Sequence, residues 1–360
     1  MDKQMENWPH KKLFFFLTLT ILFLLAILLL VKLSPVIAAI FFFLSHLLLP
    51  FFISVIISYL LHPIVTKLHQ RGVPRSIAVL LIYVVFFGSL AIILFHAFPL
   101  MITQMKELSE YLPNMVSKLE GWLENIRHNH EYPIPDSFQD GIDSTLENLE
   151  KKISTGFTNV TDWISNTIGV LFTIFLVPFV TFYILKDFKL IEKTVITFVP
   201  KKRRKEMIRL VKDIDEALGN YIRGQLLVAS IVGIMAYIGY MIIGLPYSLF
   251  LAFIVAITDI IPYLGPFLGA APAIIVGLSI SWKMGLTVLA VNLMVQTLES
   301  NVFAPQIVGK SLHIHPLFII LSLLVGGEIG GIAGLILAVP IFAILKVIFQ
   351  HIGLYYSSRL

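Results

Sequence analysis

Apolar residues fill much of this chain in runs long enough to cross a membrane. Five uninterrupted runs cover residues 13–31, 36–61, 76–98, 168–185 and 226–245. A helix needs roughly 20 apolar residues to cross about 30 Å of hydrocarbon. We therefore predict a transmembrane helix in each of these runs.

Two further apolar runs, 247–282 and 316–349, are interrupted by helix-breaking residues, and 284–304 separates them. Such residues free backbone groups that hydrocarbon tolerates only where protein or a water-filled pathway satisfies them. Each broken run is therefore either two short crossings or one re-entrant hairpin. The predicted breaks and hinges are Pro262, Gly265, Pro266, Pro305, Gly309, Pro316, Gly331 and Pro340.

The two broken runs match each other in spacing. Pro246, Asp259, Gly265 and Pro272 correspond to Pro316, Glu328, Gly334 and Pro340 at offsets of 70, 69, 69 and 68 residues. With a single crossing between them, two such units have opposite orientations, and paired interrupted segments of this kind mark binding sites in transporters. The alternative is that the two runs match by chance, because Gly and Pro are common in membrane helices.

Only three acidic residues follow Gly224, namely Asp259, Glu299 and Glu328. A carboxylate costs about 2.5 kcal/mol or more at the centre of a membrane helix, so one retained there usually faces a cavity and has a function. We predict an ion-coupling site from these three residues. The alternative for Asp259 is a helix cap that binds free backbone N–H groups.

Polar side chains also follow one face of the helix between the broken runs. Asn292, Gln296 and Glu299 are spaced by four and three residues, which places them on the same side. Gln296 and Glu299 are predicted to line the pathway. For Asn292, an interhelical hydrogen bond that holds the bundle together fits equally well.

Lys and Arg predict the orientation, because they concentrate in cytoplasmic loops. The segment 186–223 holds eleven basic residues, whereas 99–166 holds eleven acidic residues against five basic ones. The first segment is therefore predicted to be cytoplasmic and the second external, with both termini inside. Apolar residues at three- and four-residue steps from Ile102 to Ile126, and again within 136–163, predict an extracytoplasmic helical hairpin. The basic stretch 201–219 is amphipathic, and either lies on the anionic inner leaflet or is an ordinary loop.

Composition agrees with an all-α integral membrane protein of about eight membrane segments. The 360 residues are 57% hydrophobic and 14% charged, with a mean hydropathy of +0.88. The net charge of +5 lies in short loops, so it explains topology better than nucleic-acid binding. The absence of Cys excludes disulfides and thiolate metal sites. No metalloprotease, nucleotide-binding or serine-hydrolase motif occurs, so we predict no enzyme activity and no cofactor.

Several long motifs resemble the autoinducer-2 exporter family of bacterial membrane permeases. They are LPFFISVIISYLLHPIVTKLHQRGVPRSIAVLL at 49–81, PFVTFYILKD at 178–187, YIRGQLLVASIVGIMAYIGYMIIGLPYSLFLAFIVAITDIIPYLGPFLG at 221–269, LESNVFAPQIVGKSLHIHP at 298–316, and the following GGEIGGIAGLILAVP. The resemblance implies export of a small polar solute similar to autoinducer-2. Sodium or lithium/proton antiport, and a link to sporulation, are alternatives within the family.

The resemblance also implies a bacterial cell membrane protein that forms a homo-oligomer, for which a pentamer is one form. Carried over by motif, it adds Arg223, Gly224, Gln225 and His315 to the positions already named, and Arg223 and Gln225 join the predicted pathway. A passive pore or a structural role of the outer helices are the remaining interpretations.

The chain is therefore predicted to divide into five parts. They are a three-span region (1–98), the external helical segment (99–166), the fourth span (167–186), the basic cytoplasmic segment (187–224) and a transport core (225–350) with broken hairpins at 246–282 and 316–349. The predicted partners are the lipid bilayer, the solute, and sodium or a proton.

Overall fold

The structure is a computed structural model that describes residues 9–129, 155, 167–197, 199–201, 204–307 and 314–357. Its described residues are helical, with no strand among them. The chain forms two compact units, Met1–Val55 and Ile56–Leu360. By length and composition, five of the described helices are able to cross a membrane: Pro50–Gln70, Arg75–Tyr111, Arg204–Ile242, Trp282–Ile307 and Pro316–Gly353. The prediction of an all-helical membrane protein is thus confirmed.

The first two predicted spans lie in one continuous helix, α1 (Pro9–Gln70). The helix does not end between the two predicted spans, 13–31 and 36–61, although Pro35 lies there. Pro35 cannot donate a hydrogen bond to the carbonyl of Val31, but the hydroxyl of Ser34 donates to that carbonyl at 2.8 Å instead. This local replacement explains how the helix continues past the proline.

The third predicted span and the first external helix are also continuous. Helix α2 runs from Arg75 to Asn129, so the amphipathic pattern from Ile102 to Ile126 is helical, as predicted. Leu108 and Met115 pack into the main core of the second unit. Of the second external helix, predicted within 136–163, only residue 155 is among the described residues.

Helix α3 (Thr167–Lys186) contains the fourth predicted span, and the short helix α4 (Phe188–Thr197) follows it. Helix α5 (Arg204–Ile242) joins most of the basic amphipathic stretch to the fifth predicted span. That stretch is therefore the N-terminal part of a long helix and not a loop.

The first broken run folds back on itself, as predicted. Helix α6 (Ser248–Thr258) ends beside Asp259, and α7 (Gly265–Ile280) begins after a short turn. Eleven residues of α6 are about 16 Å long, which is shorter than the hydrocarbon core. We call 248–280 hairpin 1, and its helix lengths favour a re-entrant hairpin over two crossings.

Helix α8 (Trp282–Leu298) then runs antiparallel to α7, and Ser281 accepts a hydrogen bond from Met284 N at the turn between them. The helix continues through one π-helical turn, Glu299–Phe303, into the short helix α9 (Ala304–Ile307).

The second broken run, α10 (Pro316–Ser357), is folded back at Gly331, whose φ of 55° and ψ of −134° are not helical. A Cβ atom on Gly334 would lie 1.9 Å from the carbonyl oxygen of Gly326. Eight residues along a straight helix span about 12 Å, so this contact requires the two arms to pack antiparallel. We call α10 hairpin 2.

The two hairpins enter from opposite ends of α5, as the repeat predicts. Leu251 of hairpin 1 packs with Tyr240 and Leu245 near the C-terminal end of α5. His351 at the end of hairpin 2 contacts Asp213 near the N-terminal end, with 2.7 Å between Nε2 and Oδ2. The turn of hairpin 1 meets hairpin 2 where Ile261 packs with Leu323, Ala338 and Val339.

Candidate functional site

A cavity of about 780 Å³ lies where the two hairpins, α5 and α8 come together. Tyr221 and Gln225 of α5 line it, as do Ile319 and Val339 of hairpin 2. Hairpin 1 contributes a series of residues from Pro262 to Ile274, and α8 with its π-helical turn contributes Leu289, Asn292, Leu293, Gln296, Glu299 and Ser300. Its volume is typical of sites for organic ligands, about 300–1,000 Å³.

Asp259 is at the end of α6, directly behind this cavity. Its side chain is 1% exposed, and no N–H group or hydroxyl group of a described residue donates a hydrogen bond to its two carboxyl oxygens. The capping alternative is therefore wrong for the described part of the chain. A buried carboxyl group without hydrogen bonds is costly unless it binds a proton or a cation.

Glu299 begins the π-helical turn, and its carbonyl oxygen accepts the backbone N–H of Ala304, five residues later. Pro305 explains this wider turn, because it has no N–H for the carbonyl of Asn301 and its ring crowds that carbonyl. Single π-turns inside α-helices occur frequently at functional sites.

The carboxyl groups of Asp259 and Glu299 lie within hydrogen-bonding reach of each other. Two carboxyl groups form such a bond only when one carries a proton. Glu299 Oε2 also accepts from Gln296 Nε2 at 2.8 Å. Among the described residues no group of three or more His, Cys, Asp or Glu side chains is placed to hold a metal ion, so any cation bound here also needs amide or carbonyl oxygens.

Gln225 connects α5 to the turn of hairpin 1, since its Nε2 donates to the backbone carbonyl of Asp259 at 2.6 Å. Asn292 also lines the cavity, but its Oδ1 accepts from the buried Tyr240 hydroxyl at 2.9 Å. Asn292 therefore makes the predicted interhelical hydrogen bond and also lines the cavity, while its role in a pathway stays a prediction.

Two predicted pathway residues lie elsewhere. Arg223 donates to Asn220 Oδ1 at 2.8 Å and to the carbonyl of Tyr59 at 3.4 Å, and it is not among the cavity-lining residues. Glu328 is exposed near the turn of hairpin 2, away from the carboxyl pair. The structure thus brings together Asp259, Glu299, Gln296 and Gln225 but not Arg223 or Glu328.

The predicted helix breakers have different geometric roles. At Gly265 an added Cβ would lie 2.2 Å from the Thr258 carbonyl oxygen, so glycine permits the tight turn of hairpin 1. Pro262 and Pro266 flank this turn and line the cavity. The remaining predicted breakers lie at the start of hairpin 2 (Pro316), at its turn (Gly331) and within its second arm (Pro340), while Gly309 lies outside the described residues.

Sequence reasoning missed the aromatic part of the cavity, formed by Tyr221, Tyr263 and Phe267. Tyr263 has a φ of 64°, a left-handed conformation that is strained for a residue other than glycine and is often found at functional sites. Its position between Pro262 and Gly265 was the available signal.

These features define a multi-pass helical membrane protein whose two oppositely inserted hairpins enclose a cavity. The chain matches the family described as AI-2E family transporter over residues 17–353, and it belongs to that family.

Its relatives agree with this assignment. It is 41% identical to "Putative transport protein YrrI" of Bacillus subtilis, over 84% of this chain and 86% of the relative. It is 38% identical to "Putative transport protein YueF" of the same organism, over 94% and 93%. It is 31% identical to "Putative permease PerM" of Escherichia coli K12, over 86% and 88%.

Proposed function

We propose that this protein is a secondary transporter that exports an organic solute and couples its movement to protons through Asp259 and Glu299. The observation that carries the proposal is the contact between these two carboxyl groups beside a cavity of about 780 Å³. Family membership supports transport, and the cavity volume favours a solute larger than a bare ion.

The coupling chemistry follows from the charge of the pair. Two neighbouring buried carboxyl groups retain one proton between them, because two like charges repel and burial disfavours the charged form. A solute or cation that binds to the pair favours its ionised form, so the proton leaves to water. When the solute departs, a proton returns from the other side of the membrane. No nucleotide is needed.

The family resemblance names autoinducer-2 as a first solute to test. Sodium(lithium)/proton antiport is a second candidate, favoured by the two oxygens of Asp259, to which no N–H or hydroxyl group of a described residue donates. A sodium ion there would take its oxygen ligands from Asp259, Glu299 and Gln225. We further propose, from the charge distribution and the family, a homo-oligomer in the bacterial plasma membrane with both termini in the cytoplasm.

The test is transport in proteoliposomes with an imposed pH gradient, comparing labelled autoinducer-2 flux with sodium-driven proton flux. Asp259→Asn keeps the shape of the side chain and removes the titrating proton, so we expect gradient-driven flux to be lost while expression and assembly persist. Glu299→Gln is expected to weaken the flux.

Glu328→Gln is the matched control, because Glu328 is also a carboxylate in an apolar helix but is exposed and away from the cavity. We expect it to transport at close to the wild-type rate. Wild-type flux with an unchanged pH profile in Asp259→Asn would refute the proposal.

A further inference from the structure

The polar and apolar residues of the cavity are separated along its length. An added Cβ on Gly277 would lie 2.9 Å from Val288 Cγ2 and 3.2 Å from Gly285 Cα, which sets the antiparallel register of α7 and α8. In this register the turn of hairpin 1 lies beside Gln296 and Glu299, whereas Ile274 lies beside Leu289. One end of the cavity is therefore polar and the other apolar.

The distance between the polar end and the apolar end of the cavity can be estimated from α8. From Leu289 to Ser300 there are eleven residue steps, or about 16 Å at 1.5 Å per residue. A small polar molecule would contact only one end of a cavity of this length. The arrangement fits an elongated ligand with a polar head and an apolar body.

The charge of the residues in and behind the cavity wall indicates which charge the head group of a ligand carries. Glu299 is the only charged residue among the described lining residues, and the Asp259 carboxyl group lies directly behind it. An anion would therefore meet two carboxyl groups with no cation among the described lining residues to compensate. A cation would meet its counter-charge, and the nearby faces of Tyr263 and Phe267 would add cation–π attraction.

The rim of the cavity indicates how such a ligand enters. Phe267 is 77% exposed and Leu293 59% exposed, and both belong to apolar helices of the membrane region. The cavity therefore opens on the apolar surface of this chain. Amphipathic molecules collect in the adjoining lipid, so a lateral opening suits them.

We infer that the ligand of this cavity is an amphipathic organic cation whose charged head binds at Glu299 and Asp259 and whose apolar body lies along α7 and α8. The inference rests on the proposed transport function and narrows its solute class. Binding of the cation displaces the proton shared by the two carboxyl groups into water.

The probe is tetraphenylphosphonium, a rigid apolar cation, and tetraphenylborate is an anion of closely similar shape. Binding of each labelled ion to the full-length protein in lipid nanodiscs is measured by equilibrium dialysis, with empty nanodiscs subtracted. We expect saturable binding of the cation only. Glu299→Gln should weaken it about tenfold or more, since a charged partner is lost, whereas Glu328→Gln should leave it unchanged.

A second pair of variants tests the aromatic contact to the charged head. Phe267→Ala is expected to weaken binding of the cation, and Phe253→Ala, on the other arm of hairpin 1 and not lining the cavity, is expected to have no effect. Equal binding of both ions, no saturable binding, or unchanged binding in Glu299→Gln would overturn the inference.

The flux assay separates this inference from the proposed function. Flux that depends on Asp259, without binding of tetraphenylphosphonium, refutes the ligand class and leaves coupled transport standing. Saturable binding that depends on Glu299, without any Asp259-dependent flux, supports the ligand class and refutes the coupling.

Discussion

At the scale of single residues, burial of a carboxyl group was predictable but its partners were not. Asp259 is buried and accepts no hydrogen bond from a described N–H or hydroxyl group, as expected for a functional carboxylate in an apolar run. Glu328 has the same sequence context yet is exposed, because the face that an arm presents depends on contacts such as Gly326 with Gly334. Spacing alone does not contain that information.

Asn292 shows how a local pattern leaves a role undecided until the partner is known. Its position on a polar helix face is evident from the sequence. Its hydrogen bond to the Tyr240 hydroxyl joins residues 52 positions apart, which no helical periodicity predicts.

Removing that hydroxyl tests which role of Asn292 dominates. In Tyr240→Phe one buried hydrogen bond is lost, and we expect a destabilisation of about 0.5–1.5 kcal/mol, seen as a lower melting temperature of the purified protein. Tyr237→Phe on the same helix is the control, because the described residues give its hydroxyl no hydrogen-bond partner. Changed transport at unchanged stability would instead assign Asn292 to the pathway.

At the scale of helices, the sequence predicted where helices break better than where they continue. Gly and Pro clusters indicated both hairpin turns, because their backbone effects are local. The sequence predicted two helices where the structure has the single helix α1, because Ser34 compensates for Pro35. It likewise separated a third span from a following amphipathic helix, whereas α2 continues past Pro99. The π-helical turn at Glu299 was not predicted, although Pro305 supplies its physical cause.

The close contact between the arms of hairpin 2 gives a prediction at this scale. Gly334→Ala would place a Cβ 1.9 Å from the Gly326 carbonyl oxygen, so the arms must separate. Overpacking of this kind costs about 1–3 kcal/mol or more. We expect a lower melting temperature and reduced transport.

Gly330→Ala is the matched control, because an added Cβ there has no atom within 4 Å and its φ is outside the left-handed region. Alanine is ordinarily favoured over glycine in a helix. Equal stability of the two variants would show that the arms of hairpin 2 do not pack as described.

At the scale of the whole molecule, membrane insertion and the opposed hairpins followed from hydropathy and from the internal repeat. Four matched positions were enough to predict the arrangement because Gly and Pro act on the backbone directly. The aromatic lining and the amphipathic cavity were not predicted, since they depend on the register of α7 against α8.

The orientation in the membrane is tested by labelling in this cysteine-free chain. Lys118 and Lys205 are both exposed, one on the part of α2 that is predicted to be external and one at the start of α5. We expect Lys118→Cys to react with an impermeant maleimide on intact cells, and Lys205→Cys only after the membrane is opened. Reaction of both cysteines from the same side of the membrane would contradict the predicted topology.

A hydrogen bond outside the cavity connects α2 to hairpin 1. Gln104 of α2 accepts a hydrogen bond from the backbone N–H of Phe250 at 3.0 Å, which joins α2 to the first turn of hairpin 1. Since binding free energies at two linked sites are reciprocal, a molecule that binds this part of α2 more tightly in one position of hairpin 1 would change the solute affinity of the cavity. The solute would change the affinity of that molecule by the same factor. Because the charge distribution predicts that this part of α2 is external, it would then be an allosteric target for antibodies or inhibitors.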